Sequence, residues 1–248
     1  MVMRVLIIGA TSAIAAEVAR AYARVGARLY LIARDPTRLG ALVDELDVAV
    51  DGHACADLRE LDEAESRVAA AIERLGAIDV ALIAHGELTD QLASESELEV
   101  ALAGIEINFT SVVALAIPLA NYFEARGEGH FGVITSVAGE RGRPRNYTYG
   151  AAKGGLTRYL EGLRSRLLRR GVFVHNLVLG PVDTPMTRDH EKSRLFAQPR
   201  PVAAAIVRAL GRRRHAVYVP GIWRWIMLVV RNLPEPIFQR VSFLSGRP

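Results

Sequence analysis

Arg4-Val-Leu-Ile-Ile-Gly9-Ala-Thr-Ser-Ala-Ile-Ala15 decides the fold. Its first half is an apolar run of strand length ending at a glycine, which suits a strand buried on both faces of a parallel sheet. Its second half is a turn opening onto an alanine-rich helix that runs to about Val25, with Gly26 as a natural C-cap. Arg28–Ala33 is a second apolar run and closes a βαβ unit. The same rhythm continues down the chain. Further strands are predicted at Val48–Ala54, Val80–Ala84, Gly132–Ser136, Val172–Leu179 and Ala216–Val219. Helices are predicted to about Leu46 and over about 60–75, 95–124, 149–170 and 201–210. Strands alternating with helices in this way specify an α/β, doubly wound, Rossmann-like parallel sheet of about seven strands with helices on both faces.

Composition narrows the classes of function. Half of the 248 residues are hydrophobic and 23% are charged, enough apolar material for a sizeable core. Net charge is +4, but the arginines are scattered, so no nucleic-acid-binding tract is read. One cysteine, Cys55, excludes an internal disulfide framework and a cysteine-based zinc site. It fits a reducing, cytoplasmic compartment. The six histidines share no metal-ligand spacing, and no metal is expected. The N-terminal apolar run is too short for a signal-peptide core.

Chemistry is concentrated at Tyr149-Gly-Ala-Ala-Lys153, with Ser136 thirteen residues earlier. Residues four apart project from one side of a helix. An ammonium beside a phenol favours the phenolate, and this expectation gives Tyr149 a lowered pKa and a role as acid or base. All but two of the 31 basic residues are arginine, and Lys153 is one of the exceptions. A compact point charge is not interchangeable with a planar guanidinium. Tyr147 is a rival for Tyr149, but four residues after it stands Ala151.

The turn after the first strand is where a dinucleotide's pyrophosphate would meet backbone N–H groups and the positive end of a helix, over Gly9, Thr11, Ser12, Ala13 and Ile14. A plain strand–turn–helix would read the same, because Ala13 and Ala15 stand where glycines usually do. At the end of the second strand an acidic residue would take the 2′-hydroxyl of NAD, and an arginine the 2′-phosphate of NADP. Arg34 has that place, with Arg38 one turn on and Asp35 as the acidic competitor, so NADP (NADPH) is preferred over NAD.

Over about residues 3–187 these motifs resemble the short-chain dehydrogenase/reductase family. Gly9-x-x-x-Ala13-x-Ala15 matches its glycine motif with two Gly→Ala departures. Ala84-His85-Gly86 stands where Asn-Ala-Gly is usual, and Leu179-Gly-Pro-Val-Asp-Thr184 matches its Pro-Gly-x-Val-x-Thr segment with leucine for proline. The resemblance implies a catalytic tetrad of Asn108, Ser136, Tyr149 and Lys153. Tyr149 would exchange the proton, Ser136 orient the carbonyl, Lys153 hold the nicotinamide ribose, and Asn108 anchor a relay water. It also implies cofactor contacts at Asp57 and Leu58 for adenine, at Ala84, Gly86, Tyr149 and Lys153, and at Val182 and Thr184 for the carboxamide. Family members pair through the helices carrying Asn108 and Tyr149, implying a homodimer or homotetramer.

Residues 1–248 read as one Rossmann-type domain whose region 187–248 varies with substrate. Asp189–Gln198 is polar and reads as a lid. Ile222–Val230 carries both tryptophans of the chain. It is too short to span a membrane. Three placements stay open for it: packing as an interface or lid, peripheral membrane contact through 222–238, or ordinary core. This tail and the Ala-His-Gly turn are similar to the decaprenylphosphoryl-2-keto-ribose reductase subgroup, which would imply a lipid-linked substrate. The expected function is an NADP-dependent oxidoreductase acting on a small-molecule or lipid-linked carbonyl or secondary alcohol. The alternatives are a catalytically inactive dinucleotide-binding sensor and a membrane-surface interaction protein.

Overall fold

Apolar runs form the middle of a seven-stranded, all-parallel sheet in the computed structural model, which describes residues 2–188, 192 and 195–240. The strands are β1 (Arg4–Ile8), β2 (Arg28–Ala33), β3 (Val50–Cys55), β4 (Val80–Ile83), β5 (Gly129–Ser136), β6 (Val172–Leu179) and β7 (Ala216–Val219). The helices are α1 (Ala13–Ala23), α2 (Pro36–Leu46), α3 (Ala64–Leu75), α4 (Gln91–Ser94), α5 (Leu98–Ile105), α6 (Ser111–Arg126), α7 (Tyr147–Leu167), α8 (Pro199–Leu210), α9 (Trp223–Asn232) and α10 (Glu235–Arg240). Strand order is β3-β2-β1-β4-β5-β6-β7. The chain therefore starts mid-sheet and winds outward both ways, and the order reverses between β1 and β4. A crevice forms at the carboxyl ends of the strands at such a point.

Alternation along β1 shows how two cores arise from one strand. Leu6 and Ile8 face the layer built by α3, α6 and α7, whereas Val5 and Ile7 face that of α1, α2 and α8. All four are fully buried. Burial of one such side chain contributes about 1.5–3 kcal/mol.

The single long helix expected over 95–124 is interrupted. It begins at Leu98 and carries a π-helical turn, Glu106–Thr110, between α5 and α6. Helix periodicity in a sequence does not register one inserted residue, because apolar residues cover both sides of the break. The helix that carries Tyr149 and Lys153 starts two residues earlier than predicted, at Tyr147, and β5 starts at Gly129.

The tail has two faces. On one, Trp223, Met227 and Val230 of α9 pack with Val137, Val178 and Phe238 as ordinary core. On the other, Ile222, Trp225 and Val229 are exposed. His190 and half of the predicted lid, 189–191 and 193–194, lie outside the described residues.

Candidate active site

Ser136 is the last residue of β5, and its backbone leads into a 3-10 turn, Val137–Glu140. Its Oγ accepts the Ala138 N–H at 3.1 Å, and the hydroxyl lies near enough to the Tyr149 phenol to oppose the rise in its pKa. The two readings of this serine, strand-end cap and partner of the tyrosine, therefore hold at once. Tyr149 is half-buried on the first turn of α7, while Tyr147 is exposed.

Lys153 lies one turn further along α7. It is 2% exposed, and its Nζ sits 5.9 Å from the centroid of the Tyr149 ring. The Nζ donates to the Ile134 carbonyl at 3.4 Å. Burial pushes the Lys153 ammonium down to about 8. Burial likewise pushes the Tyr149 phenol up to about 12, opposed by the neighbouring Ser136 hydroxyl. The expected lowering of the phenol pKa by Lys153 is thus reversed in this arrangement. Desolvation of the phenolate outweighs an ammonium that lies beside the ring and not at the oxygen. Part of the tyrosine surface still opens on the crevice, where water tempers the displacement.

The Lys153 shift has a stability signature. Its ordinary value is 10.5 and its folded value about 8. Between those pH values the unfolded chain binds more protons, so stability should rise with pH from about 8 toward 10.5 and stay flat from this source below 8. Thermal unfolding of wild type and Lys153→Met across this range isolates the effect. The wild-type Tm should gain on the variant as pH rises, and a constant difference would rule out a desolvated amine.

Asn108 occupies the π turn and is fully buried. The inserted residue displaces the helical ladder, and Asn108 Nδ2 takes the Gly104 carbonyl at 2.9 Å and the Glu87 carbonyl at 2.8 Å. Its Oδ1 accepts the Glu87 N–H at 3.2 Å. The π turn thereby clamps the loop after β4. That loop passes directly over the site: a Cβ added at Gly86 would lie 2.7 Å from Asn108 Oδ1 and 3.2 Å from Lys153 Nζ. Single π turns of this kind concentrate at functional sites.

His85 departs from the family pattern and has a defined state. Ser111 Oγ donates to the Ile107 carbonyl at 2.9 Å, so at 2.8 Å it accepts from His85 Nε2–H. The Nδ1 is then a buried acceptor with no partner. Burial first, and the Lys153 charge second, push the imidazole down to about 3, so it is neutral at physiological pH.

The residues at the β1–α1 turn fit a dinucleotide. Gly9 has φ +83°, and a Cβ there would stand 2.6 Å from the His85 backbone nitrogen. Helix α1 begins at Ala13 with no acid in its first turn, and Ser12 caps it through the Ala15 N–H at 3.2 Å. The helix's positive end, with Thr11, Ala13 and Ile14 around it, is left for an anion. Ala15 is itself fully buried in the core, where a methyl group is accommodated. At the adenosine end Arg34 is exposed, with Nη1 3.8 Å from Glu87 Oε2. Arg38 reaches back to the Thr11 carbonyl at 2.6 Å. Asp35 caps α2 through the Arg38 N–H at 3.0 Å. Asp57 is held by Arg59 at 2.6 Å, which keeps its carboxyl down at about 2. Leu58 and Ala84 are buried. On the other side Val182 is buried and bridges to Ala197, and Thr187 Oγ1 ties the Val182 carbonyl to the Thr184 N–H.

Three sets of supporting residues escaped the sequence reading. Gly139 and Gly154 approach so closely that a Cβ on either would meet the other's backbone at 2.6–2.7 Å. Gly150 meets the Ala138 carbonyl in the same way, at 2.8 Å. These contacts press the turn after Ser136 onto the helix of Tyr149 and Lys153. Gln91 of α4 accepts the Thr148 N–H at 3.1 Å, while Ser94 bonds the Thr148 hydroxyl at 3.0 Å. Finally, Thr135, Asn176 and Thr157 form a buried relay ending on the Lys153 carbonyl. None of these contacts has a local sequence signal. Only the glycine spacing 150/154, one helical turn, hinted at a close helix contact.

Comparison with known proteins agrees with this fold. The family model described as short chain dehydrogenase matches residues 3–195. The chain is 33% identical to an uncharacterized oxidoreductase of Streptomyces coelicolor over 238 residues, 95% of this chain and 94% of that one. It is 34% identical over 197 residues to a putative ketoacyl reductase of the same species, covering 75% and 74% of the two chains. Among solved structures, an actinorhodin polyketide ketoreductase variant with NADPH superposes with a TM-score of 0.78 at 27% identity, covering 88% of this chain and 95% of that one.

Proposed function

The chain belongs to the short-chain dehydrogenase/reductase family, and from that premise we propose that it is an NADP-preferring carbonyl reductase with Tyr149 as its proton donor. The observation that carries this reading is the neighbouring Ser136 and Tyr149 hydroxyls with the buried Lys153 amine beside them, at the carboxyl edge of the sheet. The cofactor, when bound, supplies the hydride. Tyr149, neutral at physiological pH, gives its proton to the developing alkoxide. Ser136 donates to the same oxygen and holds the carbonyl in place, stabilising charge as it forms. Lys153 supplies positive charge below about pH 8 and favours the tyrosinate left behind. Asn108 holds the loop at Gly86 against the amine.

Two observations support NADP. Arg34 stands open at the end of β2, and its acidic competitor Asp35 is spent on capping α2. The related ketoreductase solved with NADPH supports both the cofactor and the direction. Arg34→Ala should weaken NADPH binding about 10- to 100-fold and leave NADH binding nearly unchanged, since one charge-assisted contact to the 2′-phosphate is removed. Fluorescence titration with the two nucleotides measures this, and equal weakening of both would refute the preference. The same titration run beside a panel of ketones and aldehydes tests the reaction. Nucleotide binding without turnover of any carbonyl would leave a dinucleotide sensor instead.

A further inference from the structure

Arg143 lies on the loop that joins the Ser136 turn to α7, between the two groups assigned to the carbonyl. Its guanidinium is largely buried, and its one described contact is Nη2 to the Met227 sulfur at 3.7 Å. Its Nε is buried with no partner, and among the described residues no carboxylate lies within ion-pair distance of it. Arg141, two residues earlier, shows what a structural arginine does on this loop. It donates to the Val230 and Leu233 carbonyls, both at 2.6 Å, pairs with Glu235 at 2.7 Å and covers the Phe238 ring. The nearby acids are committed elsewhere, Glu235 to Arg141 and Glu140 to Tyr218 and Arg231.

An uncompensated buried cation is destabilising, and proteins pair or remove such charges. Here burial and the neighbouring charge of Arg145 both disfavour the protonated form of Arg143. Trp223, one turn before Met227 on α9, adds a second buried donor without an acceptor, its Nε1. Two buried donors at this loop and α9, Arg143 Nε and Trp223 Nε1, therefore have no described acceptor, while the buried Glu140 Oε2 lies against Arg231 instead. The Arg143 residue as a whole is half-buried, with Nε covered and part of the side chain open to solvent.

We propose that Arg143 is the docking point for an anionic oxyacid group, a carboxylate or phosphate, carried by the carbonyl substrate. This rests on the reductase reading for the identity of the substrate, though not for the anion site itself. The fork of the guanidinium suits such a group in a way that an ammonium does not.

The test uses full-length protein and the variants Arg143→Met and Arg143→Lys. With NADPH saturating, a keto acid and its methyl ester are compared as substrates. Arg143→Met should lower kcat/KM for the keto acid about 10- to 100-fold and change the ester little, with Arg143→Lys recovering part of the loss. Arg143→Met should also hold or raise Tm, because it replaces an unpaired charge by an apolar chain beside Met227. A structural arginine would show the opposite. In parallel, stabilisation by inorganic phosphate is measured with and without NADPH, and it should be lost in Arg143→Met. Equal losses on acid and ester, or phosphate stabilisation unaffected by the substitution, overturn the anion site and leave the reductase standing. An Arg143-dependent phosphate response in a protein that reduces no carbonyl would do the reverse.

Discussion

Tyr149→Phe is expected to lower turnover about 100- to 10,000-fold, the range for losing a positioned general acid, with NADPH affinity nearly unchanged. The substitution removes one hydroxyl and keeps the half-buried ring. Ser136 retains its other partner, the Ala138 N–H, so the turn should stay in place. The wild-type phenol, pushed up to about 12, holds its proton through the physiological range and is a competent donor in the reducing direction. Stopped assays of NADPH consumption and a fluorescence titration of the same preparation give the two numbers needed. Turnover close to wild type would move the acid elsewhere. Tyr147 is the nearest candidate by sequence, yet it is 44% exposed and no lysine follows it at the helical spacing. Loss of nucleotide binding together with turnover would mean that the ring holds the fold and not the proton.

The second large effect is expected at Gly154. A methyl group there would sit 2.7 Å from the Gly139 carbonyl oxygen, and both partners are backbone. Neither can rotate away, so α7 and the Ser136 turn must separate. Overpacking of this kind costs about 1–3 kcal/mol, a fall in Tm of roughly 2–4 °C per kcal/mol for a chain of this size. Activity should fall further than stability. The displaced elements carry Ser136 on one side and Tyr149 and Lys153 on the other, and a shift of about 1 Å at such groups can cost about 100-fold. Gly162, two turns later on the same helix, is the control: beyond its chain neighbours and its own helical backbone, nothing lies within 4 Å of its added Cβ. Gly162→Ala should stabilise by about 0.5–1 kcal/mol, the ordinary gain from removing glycine inside a helix. Differential scanning calorimetry with kcat on both variants distinguishes local packing from helix propensity. Similar behaviour of the two would show that the Gly139–Gly154 contact positions nothing.

The parts of the molecule legible in the sequence share one property: they are local. The run Arg4–Ile8 followed by Gly9 specifies a buried strand and a turn from a dozen residues, and β2, β4 and β6 are buried runs of the same kind, whereas no residue of β3 is buried. The β6 and β7 boundaries, Val172–Leu179 and Ala216–Val219, are visible because apolar runs end abruptly at polar residues or turns. Spacing also singles out Tyr149 and Lys153, because a helix places residues four apart on one side, while Ser136 joins them through the family resemblance. The π turn at Glu106–Thr110 was hidden because the surrounding residues are apolar on every side, so one extra residue leaves the pattern unchanged.

The sequence by itself determined the doubly wound sheet and brought Tyr149 and Lys153 to one helix face, since strand pattern and helical spacing are properties of short stretches. Tertiary structure alone decided how those groups behave. Whether the Tyr149 pKa rises or falls depends on how much water the folded chain excludes and where the Lys153 amine comes to rest, one 5.9 Å from a ring centroid and turned toward Ile134. The ion pair of Arg141, and the absence of one for Arg143 among the described residues, arise from α9 and α10, which are some ninety residues away in the chain. Desolvation and charge pairing are set by what packs around a group, and only the folded chain brings those neighbours together.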